Sequence, residues 1–161
     1  MPSFSFTSHS PRETINFGRR LGGRFVPGVF VALIGGLGSG KTTLIQGFAK
    51  GLHIKKESVK SPTFVIFHIY NGKFPVYHFD LYRLEKETEL EAIGFEEFIS
   101  DRKAVSFVEW AERGKSFLPK DRLTIYLNDV GNDIRKFKIK AEGPFSEKVL
   151  KEFIRYEHSR N

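Results

Sequence analysis

Val29 to Ile34 is a run of six consecutive apolar residues, Val-Phe-Val-Ala-Leu-Ile. A run this short and rich in β-branching predicts a strand buried on both faces, as in a parallel sheet. Ala104 to Val108 has the same character and predicts a second such strand, ending at Glu109-Trp110. Helical spacing replaces the continuous runs elsewhere. Leu44, Ile45, Phe48 and Leu52 predict a helix over 41–52, with Gly51 as a stop signal. Thr14, Ile15, Gly18, Leu21 and Gly22 predict one over 11–23, opened by Ser10 as N-cap and Pro11 at the first position. Glu85 to Phe98 carries Leu90, Ile93 and Phe98 at helical spacing and breaks near Gly94. Val149, Leu150, Phe153 and Ile154 give the closing helix, 144–158, one apolar face.

Two pairs of strands complete the pattern. Phe64 to Tyr70 and Phe74 to Phe79 flank Asn71-Gly72, a tight-turn composition. Leu123 to Leu127 and Ile134 to Ile139 flank Val130-Gly131-Asn132-Asp133. Strands joined by links this short run antiparallel, so the sheet is expected to be mixed. Residues 53–61 are polar and basic and read as a loop. The expected architecture is a single α/β domain over 1–161, three-layered, with a mixed parallel and antiparallel central sheet.

Candidate chemistry sits between the first buried strand and its helix. Gly35-Gly36-Leu37-Gly38-Ser39-Gly40-Lys41-Thr42 fits G-x-x-x-x-G-K-[ST], the phosphate-binding loop of nucleoside triphosphatases. In such a loop, backbone N–H groups surround the β-phosphate and glycines allow that backbone path. Lys41 reaches the β- and γ-phosphates, and the Thr42 hydroxyl ligates Mg²⁺. The following helix points its positive end at the same phosphates. Strand, loop and helix occur in the order the motif requires, which separates it from an ordinary glycine-rich turn.

Hydrolysis also needs a carboxylate near the metal and a group that positions water. Glu109, at the end of a buried strand, suits the metal, although Asp is the usual residue there. Asp80, in Val76-Tyr77-His78-Phe79-Asp80-Leu81-Tyr82-Arg83, suits three roles: orienting or deprotonating water, ligating Mg²⁺, or capping its own strand end. His78 alternates with Asp80 onto the same face, but two ligands without a third make a weak transition-metal pair. Trp110, the only Trp, is either a core or rim aromatic or a wall of the nucleotide site. Ser61-Pro62-Thr63 precedes a strand; Thr63 suits a γ-phosphate switch and an ordinary turn equally well.

Composition narrows the class. There is no Cys, hence no disulfide framework or thiolate metal site. No apolar run approaches the ~20 residues that span a bilayer, and the first residues do not read as a signal peptide, so a cytoplasmic protein without membrane contact is expected. The net charge of +7 is dispersed and permits contact with RNA or another acidic partner without demonstrating it. No Asn/Thr-Lys-x-Asp guanine signature occurs, and no Arg-rich lid of the kind small-molecule kinases carry stands out. A small-molecule kinase and a non-catalytic, nucleotide-dependent binding module remain as rivals to an ATPase.

Taken together, Leu37-Gly38-Ser39-Gly40-Lys41-Thr42-Thr43, Ser61-Pro62-Thr63-Phe64, His78-Phe79-Asp80-Leu81-Tyr82-Arg83 and Glu109-Trp110, in this order and spacing, closely resemble the TsaE (YjeE) family of small bacterial P-loop ATPases. The likeness runs from about Ser10 to about Ile139. It implies a P-loop NTPase-like domain that binds and hydrolyses ATP with Mg²⁺, weakly alone. It also implies service to threonylcarbamoyladenosine modification of tRNA, with TsaD and TsaB as partners and tRNA met indirectly. Carried over, Lys41 binds phosphate, Thr42 and Glu109 serve Mg²⁺, Asp80 is a catalytic or metal-linked acid, and Trp110 lies near the nucleotide. Gly36, Leu37, Gly38, Ser39, Gly40 and Thr43 belong to the ATP loop, and Ser61-Pro62-Thr63 resembles a switch. The start of the first helix, near Pro11, and the late turn, near Gly131, approach the base. Relatives usually carry Asp at the position of Gly36, and often Pro at that of Ala111.

Overall fold

A computed structural model describes residues 1–55 and 67–160. Seven strands form one sheet: β1 Ser3–Ser8, β2 Phe30–Ile34, β3 Phe67–Asn71, β4 Pro75–Asp80, β5 Val105–Glu109, β6 Arg122–Gly131 and β7 Ile134–Glu142. The helices are α1 Pro11–Gly22, α2 Lys41–Gly51, α3 Thr88–Ala92, α4 Phe95–Ile99 and α5 Pro144–Ser159, with a 3-10 segment at Ala111–Phe117. The sheet order is β1-β7-β6-β2-β5-β4-β3. β2 pairs in parallel with both β5 and β6, and β4 with β5. The β1/β7, β6/β7 and β3/β4 pairs are antiparallel. The sheet is therefore mixed, as the short links require.

β2 is buried along almost its whole length and β5 along all of it, which is why both read as unbroken apolar runs. One face of the sheet packs on α1, α2 and α5 through Phe17, Leu44, Phe48, Phe107 and Phe153. The other packs on α3, α4 and the 3-10 segment through Ala32, Phe79, Leu90, Phe95 and Val108.

Two details differ from the sequence expectation. β1 adds an edge strand where Ser3 to Ser8 alternate polar and aromatic. Phe6 stacks on Phe17 of α1 with ring centroids 4.2 Å apart and planes 8° apart, an offset aromatic pair. The stretch 85–98 breaks at Gly94 as expected, into two short helices, because Gly94 takes a left-handed φ of 73° between them. Residues 111–117 form 3-10 turns beginning at Trp110, whose φ is 56°. The strand expected from Phe64 is described only from Phe67, and the 53–61 loop only as far as Lys55.

α1 and α2 touch backbone to backbone. A Cβ added to Gly18 would lie 2.6 Å from the Leu44 carbonyl oxygen, and one added to Gly22 2.6 Å from Phe48 Cα. On α2, a Cβ on Gly47 would run into the Ile15 carbonyl and lie 2.8 Å from Gly18 Cα. The start of α1 is fixed as well. Ser10 Oγ accepts from Glu13 N at 3.1 Å, and Glu13 Oε2 accepts from His9 N at 2.7 Å, a variant of the capping box. This packing carries Pro11 and Thr14 to the side of the glycine loop.

Candidate nucleotide-binding site

The loop 35–40 leaves the C-terminal end of β2 and delivers the chain into α2. Gly38 and Gly40 adopt φ of 73° and 103°, backbone that residues with a Cβ rarely enter. Gly35 is needed for closeness instead: a Cβ there would lie 2.7 Å from the Leu127 carbonyl oxygen of β6. Gly36 is under neither constraint, since nothing lies within 4 Å of an added Cβ and its φ is ordinary. An Asp side chain would therefore fit at this position without steric conflict.

Lys41 begins α2 and is buried. Its ammonium donates to the carbonyls of Gly35 at 2.5 Å and Gly36 at 2.8 Å. It also stands 4.3 Å from the centroid of the Trp110 ring, a cation–π distance. Burial lowers its proton affinity below the usual lysine value, while Glu109, Glu112 and Asp80 pull the other way.

Two carboxylates close the opposite wall. Asp80 and Glu109 are register partners on the parallel strands β4 and β5, so both project from strand C-termini on the α2 side of the sheet. Thr42 Oγ1 donates to Glu109 Oε1 at 3.3 Å. His78 Nε2 lies 2.7 Å from Glu109 Oε2, both side chains being buried; against a carboxylate, this nitrogen carries the proton. Asp80 Oδ1 accepts from Tyr82 N at 2.9 Å, a strand-end cap.

These groups surround a cavity of about 320 Å³, within the size range of small-molecule sites. Leu37 to Thr43 form its floor; Asp80, Glu109 and Trp110 stand opposite, and Pro11 and Thr14 close it from α1. Of the residues singled out in the sequence, Gly36 and Gly131 do not line it. The late hairpin contributes Asp133 and Arg135 instead, because Asn132 and Asp133 both take positive φ and turn the chain back. Ser61, Pro62 and Thr63 lie outside the described residues.

Sequence reasoning missed three cationic or aromatic neighbours. Arg135 lines the cavity, pairs with Asp129 at 2.9 Å, and runs 3.9 Å from where a Cβ on Gly40 would sit. Arg113 covers both Tyr82 and Trp110, at 5.2 and 5.1 Å from their centroids. Tyr82 itself meets Trp110 at 5.0 Å. Sequence separation hides these contacts; the alternation along β7 that puts Arg135 on the same face as the core residue Phe137 was the available signal.

The donor set is all oxygen: one hydroxyl and two carboxylates at the end of a positive helix. Among the described residues no cluster of three or more His, Cys, Asp or Glu side chains is placed to hold a metal. The set therefore suits a hard cation that keeps water and shares phosphate oxygens, as Mg²⁺ does, rather than one caged by protein alone. No helix among the described residues is long and apolar enough to cross a membrane.

Comparison with known proteins gives a consistent answer. Residues 8–137 match the family described as "Threonylcarbamoyl adenosine biosynthesis protein TsaE". The tRNA threonylcarbamoyladenosine biosynthesis protein TsaE of Bacillus subtilis is 36% identical over 162 residues, spanning all of both chains. Its counterpart in Treponema pallidum is 35% identical over 82% of this chain and 96% of its own. The crystal structure of Bacillus subtilis YdiB superposes with a TM-score of 0.78 at 32% identity, covering 97% of each chain. With a family match over most of its length, a whole-length relative and a shared fold, the chain belongs to the TsaE family.

Proposed function

We propose that this protein binds and hydrolyses ATP with Mg²⁺ in support of tRNA threonylcarbamoyladenosine formation, acting with TsaD and TsaB rather than transferring the group itself. The observation that carries this reading is the convergence of Lys41, Thr42, Asp80 and Glu109 on one cavity at the phosphate loop, in a chain of the TsaE family.

The loop amides and the α2 N-terminus favour the β-phosphate, and Lys41 adds a full positive charge beside the γ-phosphate. Thr42 and Glu109 would hold Mg²⁺, which neutralises charge on the phosphate oxygens. Asp80, beside Glu109, orients the attacking water. Trp110, Pro11 and Thr14 supply the walls against which the nucleoside rests. Arg83 and Arg135 line the cavity and offer positive charge in cis; a partner in trans offers the other route to the charge that speeds phosphoryl transfer.

The test is phosphate release by the purified protein with ATP and Mg²⁺, alone and with TsaD and TsaB, beside a reconstituted tRNA modification reaction. The expected result is slow release alone, faster release with the partners, and modification that depends on this protein. Equal rates with and without the partners would remove the partner dependence. Release no faster than from Lys41→Ala with partners present would favour a nucleotide-dependent binding module.

A further inference from the structure

Beyond β6 the sheet loses its second covering layer. On β1, β7 and β6, Phe4, Phe6, Phe137, Ile139, Leu123, Ile125 and Leu127 face the α1/α5 core, so the alternate positions face outward. Register places those outward residues in rows: Ser5, Lys138 and Tyr126, then Thr7, Lys136 and Asn128. Lys140 follows beside Ser3. Ser3, Ser5, Thr7, Lys136, Lys138, Tyr126 and Asn128 are exposed. The ammonium of Lys140 stands 5.6 Å from the Tyr126 centroid.

The three lysines are alternate residues of one strand, so their stems repeat about every 7 Å along it. The rows of Lys136 and Lys138 hold no carboxylate; that of Lys140 continues to Thr124, whose hydroxyl donates to Glu142 at 3.1 Å. The nearest acids are engaged at the ends, Asp129 by Arg135 and Glu142 by Arg122. None of the three lysines forms an ion pair among the described residues. An uncompensated lysine line, flanked by hydroxyls and an amide and carrying one exposed aromatic ring, has the chemistry of a phosphodiester surface. Lysine and hydroxyl groups meet phosphate and ribose, and the ring stacks a base. Protein interfaces, by contrast, are depleted in lysine.

We propose that the open face of β1, β7 and β6 binds RNA directly, with Lys136, Lys138 and Lys140 on successive backbone phosphates and Tyr126 under an unpaired base. The choice of tRNA as the occupant rests on the function proposed above; the preference for a polyphosphate chain rests on the face alone. Arg135 alternates with Lys136 onto the other face of β7, where it lines the nucleotide cavity, so RNA and nucleotide would lie on opposite faces of the sheet.

The test is binding of an unmodified tRNA transcript, followed by fluorescence anisotropy across a salt series. It compares the full chain, the triple variant Lys136→Gln/Lys138→Gln/Lys140→Gln, the single variant Tyr126→Ala, and a control, Lys148→Gln/Lys151→Gln on α5. Each phosphate contact contributes roughly 0.7–0.9 to the slope of log affinity against log salt. The triple variant is expected to lose about two units of slope and at least tenfold in affinity at low salt, with nucleotide binding unchanged. Tyr126→Ala is expected to weaken binding of a single-stranded oligonucleotide about fivefold or more. Wild-type affinity and slope in the triple variant, or an equal loss in the α5 control, would overturn the proposal. So would loss of TsaD–TsaB binding with RNA binding intact, which would make this a protein-docking face. Failure of the function proposed above would show separately, as absent tRNA modification whatever the RNA titration gives.

Discussion

His78 Nε2 lies 2.7 Å from Glu109 Oε2 while Thr42 Oγ1 lies 3.3 Å from the other oxygen of the same carboxylate. Glu109 is thus held from both sides, and its orientation toward Thr42 is set by a buried imidazole. Groups that orient a metal-binding carboxylate typically contribute 10- to 100-fold to metal affinity or activity. His78→Ala is expected to slow hydrolysis by about that much and to raise the Mg²⁺ concentration needed, with metal-free nucleotide binding little changed. His78→Gln, whose amide can still donate, is expected to recover part of the loss. Glu109→Gln is expected to cost more, roughly 10²–10³ in rate. An Mg²⁺ titration of phosphate release across the three variants is the check, and unaltered Mg²⁺ dependence in His78→Ala would separate the imidazole from the site.

Lys41 and Trp110 give a second test through one contact. The Lys41 ammonium lies over the only indole in the chain, so a phosphate that draws the ammonium away changes the indole's surroundings. ATP is expected to alter Trp110 fluorescence saturably. Lys41→Ala removes charged hydrogen bonds worth about 1.5–3 kcal/mol and is expected to weaken binding roughly 10- to 150-fold. A wild-type titration curve in Lys41→Ala would place the triphosphate elsewhere.

The α1/α2 contact predicts a stability effect. In an open helix Gly→Ala gains about 0.8–1 kcal/mol. At Gly47 the added methyl meets the backbone of Ile15 and Gly18, and backbone cannot rotate aside. Overpacking of this kind costs about 1–3 kcal/mol, so Gly47→Ala is expected to lower stability by about 1 kcal/mol net. Urea unfolding decides it: a raised midpoint would mean that the helices part easily.

How much of this was legible in the sequence follows from the range of each interaction. Gly35 to Thr42 could be read directly, because a loop motif is local and its flanking strand and helix announce themselves within ten residues. Asp80 and Glu109 could be singled out as acids ending apolar strands, but not as register partners, since strand order is not written in either segment. The His78–Glu109 bond spans 31 residues and depends on that order. β1 had its signal, Ser-Phe-Ser-Phe-Thr, yet a strand so short at the terminus declares itself only through the aromatic surface it covers. Arg113 and Arg135 resemble any solvated arginine until the fold places Trp110 and Gly40 beside them.

Asp121 illustrates the same gap and gives a pH prediction. Glycine precedes α5, so no side chain at that position caps it. Asp121, over twenty residues earlier, accepts from Phe145 N and Ser146 N at 2.9 Å each. Burial pushes its carboxyl up, but hydrogen bonds from Ser146 and Phe145, aided by Arg102, outweigh that and hold it below the ordinary 3.8. A carboxyl whose folded value is depressed stabilises fully above its unfolded value and loses that contribution as pH falls through the folded one. Asp121→Ala is expected to cost about 1–2 kcal/mol near neutrality. The gap from wild type should narrow below pH 3.8, which urea midpoints at neutral and acid pH will show. A gap that stays constant with pH would mean that the carboxylate's charge is not what caps α5.

The glycine seam between α1 and α2 also has a mechanical consequence. Helices separated by a layer of side chains can slide, because rotamers adjust between them. Gly18 against Gly47, and Gly22 against Gly51 and the Phe48 backbone, leave no such layer, so the two helices must translate together. The first turn of α2 lines the cavity, and α1 bears Pro11 on the facing wall and meets β1 through Phe17 and Phe6. Any shift of the phosphate loop that displaces α2 therefore carries α1 along, and with it Pro11 on the facing wall.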